Sequence, residues 1–226
     1  MSRITIVGFI AILLLIAGGT AWYLISSSGG LPTAPSDTAS TTGTVFSGEA
    51  IYTNGPQGFL IRYPENALVS DSFASYYHLA PTWRANPLEH GTGTPVVSFT
   101  TYSTKSESSY PRYFDALVRV GVSSDAKEVA QCLKAQADQG EVALPDKTIG
   151  NRVWKAFSFE NAGMQQYVRG ISYRTMHEGK CVALEQIAVG SNYREDAPSK
   201  ADITDVELAS RYEELGTIID TFMFVR

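Results

Sequence analysis

The chain has 226 residues, 44% of them hydrophobic, and a formal net charge of −5 from 18 Lys and Arg against 23 Asp and Glu. Arg3 is the only charged side chain before Asp37, which leaves −6 on the remainder. An acidic body of this kind is a poor partner for nucleic acid or anionic lipid.

The stretch 4–25 reads ITIVGFIAILLLIAGGTAWYLI and carries no charge. As a helix it is long enough to cross a bilayer core of about 30 Å. Arg3 precedes it and no further Lys or Arg comes before Arg62, so the positive-inside bias puts residues 1–3 in the cytoplasm and the rest outside. Trp22 and Tyr23 stand at the outer end, where aromatic rings favour the interface. The rival reading is a signal peptide cleaved after Ala21, at the small-x-small triplet Gly19-Thr20-Ala21. Continuation of the apolar run through Ile25 favours a retained single-pass anchor. Residues 26–44, SSSGGLPTAPSDTASTTGT, bury no apolar area and read as a flexible linker reaching about 25 Å.

Residues 45–226 are enough for one domain with a real core. Ala50 to Thr53 and Phe59 to Tyr63 flank the turn residues Asn54 to Gly58, a hairpin signal with Phe59, Ile61 and Tyr63 on one face. A short strand follows at Ala67 to Ser70. Asp71 to Thr94 is broken by Pro81, Pro87, Gly91 and Gly93, with a short strand expected near Ser75 to Leu79. Val96 to Tyr102 and Phe114 to Val122 read as strands, the second with Ala116, Val118, Val120 and Val122 facing one way. A first helix is expected from a Ser124 cap to Gly140, with Val129, Cys132, Leu133 and Gln136 on one face. Asp146 to Asn151 reads as a turn. A meander follows: Val153 to Phe159, a turn at Asn161-Ala162-Gly163, Met164 to His177, and Cys181 to Val189. In its middle strand Tyr167, Ile171, Tyr173 and Thr175 share a core face on which Arg169 is the exception. The capping box Thr204-Asp205-Val206-Glu207 starts a second helix with a Leu208, Tyr212, Leu215, Ile219 stripe. A final strand lies at Thr221 to Val225. The expected class is α+β, an antiparallel sheet covered by helices and preceded by one transmembrane helix.

A domain that opens on Tyr52 and Gly58-Phe59-Leu60-Ile61-Arg62-Tyr63-Pro64 and closes on Thr221-Phe222-Met223-Phe224 resembles the PsbP-like domains. It is particularly similar to anchored extracytoplasmic bacterial proteins of unknown function. The resemblance implies a central antiparallel sheet sandwiched by helices, and a non-enzymatic role in its photosynthetic members. Ala67-Leu68 stands where the family often has Trp. The matching residues are core and turn residues, so they speak for fold rather than function.

No GxSxG, P-loop, GxGxxG or HExxH occurs, and no cofactor or metal is expected. Cys132 and Cys181 fit neither a CxxC redox pair nor a zinc pattern. Outside the cytosol they can form a disulfide; two buried thiols are the alternative. Two functional readings follow. The first is a membrane-tethered extracytoplasmic module that binds a partner protein without catalysis. The second is a cell-surface hydrolase or small-ligand binder with its site in 71–94, where Trp83, Arg84, Glu89 and His90 are the candidate residues.

Overall fold

The computed structural model describes residues 48–104, 114–191 and 203–225. The expected cytoplasmic N-terminus, anchor and linker of 1–44 lie outside the described residues. No helix among the described residues is long and apolar enough to cross a membrane.

Two antiparallel sheets form. The small one orders β1 (Glu49–Asn54), β2 (Phe59–Pro64) and β10 (Met223–Phe224) as β1-β2-β10. The large one runs β3-β4-β5-β9-β8-β7-β6, with β3 (Leu68–Ser70), β4 (Thr94–Ser103), β5 (Phe114–Ser123), β6 (Val142–Ile149), β7 (Arg152–Gly163), β8 (Gln166–His177) and β9 (Lys180–Ser191). Its central strands β5 and β9 are buried on both faces. β9 accordingly reads as a near-continuous apolar run around Glu185-Gln186, while β5 keeps its alternation.

One face of the large sheet is covered by α2 (Asp205–Asp220), lying on β5 and β9, and by the small sheet. Thr204 caps α2 by accepting from the Glu207 amide, as the capping box requires. Phe59, Ile61, Phe99, Val118, Leu184, Leu215, Ile219 and Phe222 fill this interface. The C-terminal strand docks through aromatic contacts. Phe224 stacks on Trp154 at 5.9 Å and on His177 at 3.7 Å.

Among the described residues the opposite face carries no long helix. It is covered by an irregular strap, residues 71–93, and by α1 (Ala126–Gln131). The structure is thus mostly antiparallel sheet with few helices. α1 is far shorter than the periodicity predicts, because the chain leaves α-helix at Cys132 and passes through one 3-10 turn, Ala137–Gln139. Leu133, expected on the buried face, is exposed. Asp125, not Ser124, is the cap: its carboxylate accepts from the amides of Lys127 and Glu128. The Glu128 amide bond is the main reason its pKa lies below the usual range.

The strand expected near Ser75 to Leu79 is a single bridge, Tyr76 to Leu79. β6 occupies part of the expected 146–151 turn. It is an edge strand with Pro145 beside a register shift, an arrangement that blocks further pairing. The β7–β8 turn falls on Met164-Gln165 rather than Asn161-Ala162-Gly163, with both turn residues at positive φ.

Candidate functional site

The strap face is held by charge. Arg119 (β5), Arg174 (β8) and Arg84 (strap) meet Glu185 (β9), Glu128 (α1) and Glu141 (before β6), and none of the six side chains is more than 1% exposed. Arg84 Nη2 donates to Glu128 Oε2 at 2.7 Å, and its Nη1 lies 3.8 Å from Glu141. Arg119 donates twice to Glu185 Oε2, at 2.7 and 3.2 Å. Arg174 pairs with Glu141. Burial is the largest influence on Arg174 and lowers its pKa; the Glu141 carboxylate opposes it. Three cations balance three anions, so the layer is neutral. The guanidinium groups also face rings: Arg119 over Phe73 at 4.5 Å and Arg174 over Phe157 at 4.0 Å.

The strap splits the four residues singled out from the sequence. Trp83 and Arg84 are buried, with Arg84 inside the charge layer and over the Trp83 ring at 5.2 Å. Glu89 and His90 stand on the surface with side chains more than four-fifths exposed, 3.4 Å from each other. The two pairs are not brought together. Among the described residues no group of three or more His, Cys, Asp or Glu could hold a metal ion.

The Cys132–Cys181 disulfide is present, with Cα atoms 5.6 Å apart. It ties the end of α1 to β9 beside the charge layer. Periodicity did not reveal that layer, but a signal was there. Glu185 is the one charge in CVALEQIAV, and Arg119 the one cation in an apolar alternation. A charge in such a run requires a partner. The register supplies it, setting Arg119 directly opposite Glu185.

The other face leaves an opening. α2 covers β5 and β9, but β8, β7 and β6 continue past it. Between the helix and these strands lies a groove in two parts of about 430 and 370 Å³ that share Glu160, Arg169 and Ala209. Its floor carries Ile171, Arg169 and Tyr167 of β8, Ser158 and Glu160 of β7, and Val142 of β6. Its wall is the α2 ridge of Asp205, Ala209 and Glu213, with Tyr212 beneath. Arg169 lies over the Tyr212 ring at 5.7 Å. Its register partner across the strands is Glu160, yet no ion pair within 4.0 Å links them. Burial raises the Tyr212 pKa far above the usual range, Tyr173 adds to this and Arg169 opposes it, so the phenol stays protonated. The sequence had marked Arg169 as the charge on a core face; the structure explains it by the gap in the cover above that strand.

No protein-family profile and no curated protein matches the chain. Among solved structures the fold is similar to the solution structure of cyanobacterial PsbP (CyanoP) from Synechocystis sp. PCC 6803. That match has 12% identity over 87% of this chain and 99% of that one, with a TM-score of 0.39. The fold is also similar to the crystal structure of LpqN, involved in cell envelope biogenesis of Mycobacterium tuberculosis. There the identity is 9% over 79% of this chain and 91% of that one, with a TM-score of 0.41.

Proposed function

We propose that the chain is a membrane-tethered, extracytoplasmic interaction module that binds a partner protein and performs no catalysis. The observation that carries this reading is the groove beside α2, where the described residues leave half of a sheet face uncovered. Unfilled concave surfaces of mixed polarity are where partners dock. The disulfide supports the compartment, because such bonds persist outside the reducing cytosol. The uncharged stretch 4–25 behind Arg3 supports an anchor with its N-terminus inside. The engagement of Arg84 with Glu128 and Glu141 favours binding over hydrolysis at the strap, since those groups already hold one another.

Two measurements on intact cells test it. Protease added outside is expected to remove the domain while a cytosolic marker survives. A photo-crosslinking residue at Ala209 is expected to give a discrete adduct that the same residue at Glu89 does not. A domain as protected as the marker, or identical adducts from both positions, would sink the proposal.

A further inference from the structure

Resting on that reading, we infer that the groove takes a cationic amphipathic helix of the partner protein, laid alongside α2. Width points to a helix. β8 and β6 flank β7, so at about 4.8 Å per strand the uncovered floor is about 10 Å across, the diameter of one helix with its side chains. A sheet face beside a helix is completed by a second helix, and the floor offers side chains rather than free backbone edges. Length agrees. The open rows from Ser158 to Ala162 on β7 span about 13 Å. Asp205, Ala209 and Glu213 repeat at four-residue steps and form one ridge of about 12 Å. That ridge is small in the middle, where a neighbouring helix can come close, and acidic at both ends.

Charge selects the occupant. Glu160 faces the same space from the floor, and Arg169 is the one cation among the described lining residues. Among the described lining residues three carboxylates thus stand against one guanidinium, in a domain that is itself acidic. A helix with Lys or Arg seven or eight positions apart reaches both ends of the ridge. Between them its apolar residues meet Ile171, Val142 and Ala209. An acidic helix would meet like charge at three points and gain only Arg169.

The test uses the full chain in nanodiscs of neutral lipid, with empty discs as blank. Two labelled synthetic helices are compared: an Ala/Leu peptide with two Lys seven positions apart beside its apolar face, and the same peptide with Glu in their place. The Lys peptide is expected to bind at least about tenfold more tightly. The doubly reversed chain Glu160→Lys/Glu213→Lys should lose that preference, while Glu89→Lys, an exposed acid on the opposite face, should keep it. Equal binding of the two peptides, a preference that survives the double reversal, an equal loss in Glu89→Lys, or no binding of either peptide would each overturn the assignment. Failure here with a discrete adduct still formed from Ala209 removes the cationic helix and leaves the interaction module standing; loss of both removes the module.

Discussion

Glu128 is the pin of the strap. It sits on α1, which is only one and a half turns long, yet it receives Arg84 at 2.7 Å on one oxygen and the Leu88 amide at 2.7 Å on the other. Glu128→Ala therefore strands a buried guanidinium and a strap N–H together. Breaking one side of a buried pair costs about 3–5 kcal/mol, and an unsatisfied buried donor about 1–3 kcal/mol. Glu141, 3.8 Å from Arg84, takes up part of the loss, so the net expectation is about 4 kcal/mol. Glu128→Gln keeps an oxygen for the Leu88 amide and loses only the charge, so about 2 kcal/mol is expected. The assay is urea unfolding of the full chain in detergent, followed by tryptophan fluorescence. With a slope of about 2 kcal/mol/M, the Ala variant should unfold about 2 M earlier and the Gln variant about 1 M earlier. A Glu128→Ala chain within about 1 kcal/mol of the parent, or a Gln variant as weak as the Ala variant, would refute the role of the carboxylate as a two-sided pin.

The disulfide closes a loop with a sequence separation of 49, so reduction should lower stability by about 4 kcal/mol in the chain-entropy model, read as an earlier urea midpoint with dithiothreitol; coincident curves would count against it. Met164 and Gln165 occupy φ 50° and 62°, where a two-residue hairpin turn prefers Asn-Gly. Met164→Asn/Gln165→Gly should stabilise by about 1–2 kcal/mol, raising Tm by about 4 °C in calorimetry, and an unchanged or lower Tm would refute strain at this turn. His177 has a lowered pKa, first through burial and then through Arg152 and Lys180, with Glu178 opposing. The unfolded chain therefore takes up a proton near pH 6.5 that the folded chain resists, and stability falls as pH drops through that value. His177→Phe, which can still stack on Phe224, should flatten the loss between pH 7 and 5 in unfolding titrations; an unchanged slope would clear His177 of the effect.

Period-two patterning made most of the sheet legible. Ala116, Val118, Val120 and Val122 lie on one buried face of β5, and Tyr167, Ile171 and Tyr173 on one face of β8, as their alternation requires. α2 was legible for a different reason: its cap and its apolar stripe both write themselves locally. α1 misled because Val129, Cys132 and Leu133 keep helical spacing, while the chain turns away at Cys132, where the disulfide holds it. The Met164-Gln165 turn could not be read at all, since neither residue advertises a positive φ and the Gly just before them does. The charge layer was hidden in pairing. Each Arg and Glu is an oddity in its own strand or loop and becomes intelligible only opposite its partner.

That layer also explains why the two faces of the large sheet are built so differently. A helix satisfies its own backbone, so α2 meets the sheet mainly through apolar contact, with one added bond from Gln186 Nε2 to the Tyr212 carbonyl. The strap and the stretch after α1 have no such internal ladder, and their buried amides and carbonyls need partners from elsewhere. The charged side chains provide them: Glu128 takes the Leu88 amide, Glu185 the Ala85 amide and Glu141 the Gln136 amide. Arg119 donates to the Ala80 carbonyl and Arg174 to that of Lys134. Charges drawn into the interior to serve irregular backbone must then neutralise each other, which is what the three pairs do. The six carboxylates and guanidiniums of that layer are thereby committed to one another and to the strap backbone. On the face beside α2 a second helix can meet the apolar floor as the first does, with the acidic rim choosing its charge, and the described residues leave that place open.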